Sequence, residues 1–233
     1  MNERENIFGR IREALRVKAP VPGSHDPKRG GTDGLTVSEA EAAKHIPEWL
    51  PPVGETFDQH VELFRANALD LKADFQLFDD MRETEAYISR LAANEAWKKV
   101  ASHSGELTDR ACAAVALPRV ATDRNYDIRE LESCDAGISE CEALIAQTGS
   151  VLVSGRSSGG RALSVLPPHH VVLARREQLL PDLPAAFAFL KQKYEPDYPS
   201  FLSFITGPSR TGDIERILVL GAHGPKKLTV LCV

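Results

Sequence analysis

Four short runs in the second half of the chain are apolar at nearly every position: Ser150–Ser154 (SVLVS), His170–Ala174 (HVVLA), Phe201–Thr206 (FLSFIT) and Leu228–Val233 (LTVLCV). A strand with one face in water alternates apolar and polar residues, whereas a strand covered on both faces does not need to. These runs are too short to stand as helices, and they are separated by segments of helical character. One such segment spans 183–193, with Asp182 placed to cap it. The pattern predicts an α/β fold: a mainly parallel sheet with helices on both faces, in which all four runs share the sheet.

The same alternation starts earlier. Thr56 and Gln59 form a capping box ahead of Val61, Phe64, Ala68 and Leu71. A strand at Phe75–Phe78 leads into a helix capped by Asp79 or Asp80, with Met81, Thr84, Ile88 and Leu91 inward. Strands are expected at Val100–Ser102, Arg119–Ala121 and Ala136–Ser139. Ser139 with Glu142 reads as a second capping box, opening a helix that Gly149 closes. Ahead of this domain, which spans 56–233, residues 1–55 form an appendage. Ile7, Ile11 and Leu15 mark one apolar stripe on a helix over 6–16, and 19–34 is a linker rich in Pro, Gly and charge.

Bulk properties exclude several classes. The formal net charge of −5 over 233 residues argues against a general nucleic-acid binder, whose affinity rests on basic groups displacing phosphate counterions. No apolar run has the length of a membrane span, and the charged start MNERENIFGR lacks a secretory core, so a cytoplasmic protein is expected. The four cysteines, Cys112, Cys134, Cys141 and Cys232, have no CxxC spacing. Reduced thiols are expected, with no metal, no iron–sulfur cluster and no other cofactor.

Candidate chemistry gathers where strands end. In Gly207-Pro208-Ser209-Arg210-Thr211-Gly212-Asp213 a glycine permits close backbone approach, and Ser209 and Thr211 offer hydroxyls. Arg210 can fork onto a carboxylate or phosphate, and a helix expected from Gly212 presents free N–H groups to an anion. The alternative is an ordinary strand-to-helix turn in which Arg210 pairs with Asp213. His223, between Gly221-Ala222 and Gly224, is placed to act as a donor or general base across the same cleft, or as a turn histidine. Thr148 and Ser150 join from a neighbouring turn, and a small carboxylate or phosphate is the implied ligand. Gly155–Gly160 (GRSSGG) lacks the ending of a phosphate-binding P-loop and reads as a flexible surface loop. His169 and His170 adjoin on one strand, so they face opposite sides and cannot share a metal ion.

Four segments occur in order: Ile145-Ala146-Gln147-Thr148-Gly149-Ser150, Leu166-Pro167-Pro168-His169-His170-Val171, Ile205 through Glu215 (ITGPSRTGDIE) and Leu220 through Lys226 (LGAHGPK). Together they resemble the LUD domain of the lactate-utilisation protein C family. The resemblance implies a fold similar to the sugar-phosphate isomerase and CoA-transferase-like α/β proteins. It implies a role in growth on L-lactate, as a component without a cluster working beside iron–sulfur partner proteins. The alternative is a free-standing enzyme acting on a small phosphorylated or CoA-linked acid. Gln147 stands where relatives often carry an acidic residue, so the resemblance brings no acid/base role to that position.

Overall fold

The computed structural model describes residues 52–123, 125–156, 158–212, 218–220 and 224–233. The expected N-terminal helix and linker lie outside the described residues.

Six parallel strands form the main sheet, in the order β1 (Asp74–Leu77), β12 (Lys227–Cys232), β7 (His169–Ala174), β4 (Ala136–Glu140), β2 (Val100–Ser102), β3 (Arg119–Ala121). Helices α2 (Met81–Asn94) and α3 (Glu106–Val115) cover one face, where Met81, Ile88, Leu107 and Ala111 pack on Val100, Ile138, Val171 and Leu231. On the other face α1 (Phe57–Asp70) buries Val61 and Phe64 against Phe75 and Val230. Beside it α4 (Ile128–Glu132) places Leu131 against Ala101 and Val120. Phe64, Ile88, Val171 and Leu231 are completely buried, as runs without alternation require.

The predicted caps are present. Thr56 and Gln59 form the reciprocal box on α1, Asp80 accepts from the N–H groups of Arg82 and Glu83, and Asp182 accepts from Ala185 at the start of α5 (Leu183–Tyr194).

Two expectations are corrected. Ser150–Ser154 and Leu202–Ile205 are not in the main sheet. As β6 and β9 they pair antiparallel in a second sheet, ordered β8 (Leu179–Leu180), β5 (Ala143–Ile145), β6, β9. Burial between two sheets produces the same apolar run as burial between helices, so the pattern cannot tell them apart. Val151 and Val153 pack toward the main sheet, while Ile145 and Leu152 face α5. The second correction lies at 140–149, where no helix forms. β4 runs on to Glu140, and β5 turns back into β6 through a single 3-10 turn, Ala146–Thr148, closed by Gly149 at φ +62°. That positive φ suits glycine, and a Cβ there would lie 2.9 Å from the Asn67 side chain.

Candidate functional site

At the amino ends of β7 and β12 the two sheets part and leave a cavity of about 280 Å³. Its walls come from both sheets and from two turns. The main sheet contributes His170 and Leu228; β9 contributes Ser203 and Ile205, with Phe201 just before it. Gly207, Pro208 and Ser209 form one turn, and Gly224 and Pro225 the other. The turns are bonded to each other, since Ser209 N–H donates to the Pro225 carbonyl at 2.9 Å, and a Cβ on Gly224 would lie 3.1 Å from that of Ser209. The Lys226 N–H in turn donates to Pro168, which fixes the second turn beside the start of β7. Arg161, Ser164 and Val165 complete the lining.

Two groups give this cavity a chemical preference. His170 is almost fully buried, and its Nε2 lies 2.9 Å from Ser139 Oγ. The Ser139 hydroxyl is buried with the imidazole as its partner, so its proton points to Nε2, and the ring proton then belongs on Nδ1, a tautomer assigned from the network. That Nδ1 has no hydrogen-bond partner among the described residues. An unmet buried N–H costs roughly 1–3 kcal/mol. Burial also pushes the His170 pKa down to about 3, so the ring enters any binding event neutral and as a donor. Arg161 is exposed, with its guanidinium carbon 5.0 Å from the centre of the Phe201 ring. It takes part in none of the ion pairs among the described residues. A cation and a neutral donor, set among Val165, Phe201, Ile205 and Leu228, suit a small anion with an apolar part.

The predicted site residues divide. Gly207, Ser209 and Gly224 come together as expected, but at the amino ends of the parallel strands. The carboxyl-end rule fails here because β9 runs antiparallel in the second sheet. Arg210 does not line the cavity; it is exposed at the start of β10 (Arg210–Gly212), which pairs antiparallel with β11 (Leu218–Leu220). So 210–212, including Thr211, form a strand, and the helix expected from Gly212 onward falls on 213–217, outside the described residues. A Cβ on Gly207 would sit 3.4 Å from an Arg210 guanidinium nitrogen, so Arg210 stays beside this turn. Thr148 and Ser150 do not line the cavity; their hydroxyls chain to Thr206 at 2.7 and 2.8 Å. Asp213 and His223 lie outside the described residues. Arg161 and His170 also line the cavity, and neither stood out as a ligand-binding residue in the sequence. His169 faces away from His170, edge-on to Trp97 and 2.9 Å from Thr229 Oγ1.

The model of the LUD domain matches residues 28–233. The chain belongs to the LUD domain family. Among curated relatives of this LUD protein, a Lactate utilization protein C of Geobacillus sp. (strain WCH70) is 27% identical, over 82% of this chain and 84% of the relative. A Lactate utilization protein C of Bacillus licheniformis is 33% identical, but the match spans 46% of this chain and 45% of that protein. An uncharacterised protein of Neisseria meningitidis serogroup B is 26% identical across 100% of this chain and 94% of its own length. The fold also resembles the crystal structure of a DUF162 family protein from Deinococcus radiodurans, with TM-score 0.57 and 21% identity, over 77% of this chain and 99% of that one.

All four cysteines are buried, and no group of three His, Cys, Asp or Glu side chains among the described residues could hold a metal ion. Burial raises each thiol's pKa, that of Cys141 well above its ordinary value and that of Cys232 to about 12. No helix among the described residues is long and apolar enough to cross a membrane.

Proposed function

We propose that this LUD protein serves lactate utilisation by binding a small carboxylate, lactate in the first instance, in the cavity between its two sheets. The observation that carries the reading is a cavity in which Arg161, outside every ion pair among the described residues, stands among Val165, Phe201, Ile205 and Leu228 with buried His170 in the wall. A carboxylate there would pair with the arginine on the His170 side of the cavity, while the methyl group rests on Val165 or Leu228. Ser164, Ser203 and Ser209 offer partners for a 2-hydroxyl group, and Arg210 adds positive charge beside the Gly207 turn. A volume of about 280 Å³ suits a metabolite of this size. The names of the relatives point the same way. In this reading the protein is a cytoplasmic component without a cluster, acting beside iron–sulfur partner proteins.

Arg161→Ala tests the site. Calorimetric titration with L-lactate is expected to show affinity weakened by about tenfold or more, the loss of a charge-assisted contact. Stability should shift by no more than about 0.5 kcal/mol, because the side chain is exposed. Unchanged affinity in the variant would remove Arg161 from the site. The physiological role is tested separately: a deletion strain should grow poorly on L-lactate and normally on glucose. Normal lactate growth without a second copy of the gene would contradict that role.

A further inference from the structure

We propose that the cavity between the two sheets selects 2-hydroxy monocarboxylates whose apolar chain is longer than the methyl group of lactate, an inference that rests on the carboxylate reading given above. Arg161 would hold the carboxylate end and the apolar lining the other. The volume of about 280 Å³ equals the space of roughly nine water molecules at about 30 Å³ each. Lactate takes the space of about four of them, so a lactate paired with Arg161 leaves roughly half of the cavity untouched.

What lines the remaining space decides the class. Apolar side chains stand on both walls: half-buried Phe201 and Ile205 on the side of the second sheet, and Leu228 on the main sheet. Pro208 and Pro225 add apolar surface from the two turns, and Val165 from the segment ahead of β7. Val165 is 37% exposed, so much of its side chain is open to contact. The methyl group of lactate can cover only a small part of these groups. An alkyl chain lying between the walls would be covered on two sides, and each methylene taken from water in this way tightens binding by about fourfold.

The polar groups fit one carboxylate and not two. Arg161 is the only charged side chain among the described residues that line the cavity. Arg210 stays beside the Gly207 turn and does not join the lining. The Ser164 hydroxyl donates to the Arg161 carbonyl at 3.0 Å, and the Ser209 N–H is held by Pro225, which leaves the Ser203 and Ser209 hydroxyls for the 2-hydroxyl group. A second carboxylate at the far end of the ligand would lie on apolar groups with no cation to pair with, and an unpaired charge is costly to bury.

Calorimetric titration of the full chain with L-lactate, L-2-hydroxybutyrate, L-2-hydroxyhexanoate and L-malate tests the proposal. Affinity should rise about fourfold from lactate to hydroxybutyrate, and about tenfold or more from lactate to hydroxyhexanoate. Malate carries a carboxylate where hydroxybutyrate has its terminal methyl, and should bind about tenfold more weakly than hydroxybutyrate. Val165→Ser, at an exposed position, should fold normally and shrink the gain from lactate to hydroxyhexanoate by about threefold. An affinity for lactate that stays flat or falls as the chain lengthens, malate bound as tightly as hydroxybutyrate, or an undiminished gain in Val165→Ser would overturn the proposal and leave the carboxylate reading standing. Failure of all four acids to bind would overturn both.

Discussion

Glu142→Ala is expected to destabilise the fold by about 2–4 kcal/mol, because two buried hydroxyls lose their shared acceptor and a gap is left behind. The Glu142 carboxylate is fully buried and takes hydrogen bonds from Ser154 Oγ, from the Tyr194 hydroxyl and from Lys193 Nζ, the last at 2.5 Å. Removing it takes the shared acceptor from two buried hydroxyls, Ser154 and Tyr194, and leaves a gap between the β5–β6 pair and the end of α5. The lysine is 44% exposed in its side chain, so it can turn to water; the cost comes from Ser154 and Tyr194. Urea unfolding of the variant measures it. A Glu142→Ala protein as stable as the parent would show that this network does not hold the second sheet to α5.

The second large effect is acid sensitivity. Burial depresses His169 to about 4 and His170 to about 3, from an ordinary value of 6.5. The unfolded chain therefore takes up protons below pH 6.5 that the native state refuses. The stability linked to these histidines is complete above about pH 6.5 and is lost as pH falls toward 4 and then 3. Each unit of difference is worth about 1.4 kcal/mol, so two depressed histidines should weaken the fold by several kcal/mol by pH 4. Unfolding midpoints at pH 7.5, 5.5 and 4.5 should fall steeply in the parent and less steeply in His170→Gln, which cannot take up the proton. Equal slopes in the two proteins would remove His170 from the acid response.

Much of the fold was legible because its signals are local. Thr56 with Gln59, Asp80 and Asp182 cap their own helices, and the apolar runs of β7 and β12 need no distant partner to be recognised. The misreadings arise where the partner is distant in sequence. Ser139-x-x-Glu142 has the spacing of a capping box, yet the Ser139 hydroxyl serves His170 on the adjacent strand, and Glu142 is drawn to Tyr194. Helix α3 goes unannounced because its N-cap, Gly105, has no side chain to cap with; Glu140, on β4, supplies the acceptor. The candidate site follows the same logic. Its glycines stand out in the sequence, since Gly207 takes φ +80° against Leu71. Arg161 and His170 look ordinary until β9 is placed in a second sheet, which turns the Gly207 turn toward the amino ends of β7 and β12.

The most direct test of the central claim is nitrogen-15 NMR of histidine-labelled protein during titration with L-lactate. The account predicts that His170 is neutral, carries its proton on Nδ1, and shows a saturable shift of its ring nitrogens as the ligand carboxylate settles beside the ring. An Nδ1 that carries no proton, or a His170 signal unmoved at lactate concentrations that saturate the calorimetric titration, would contradict it.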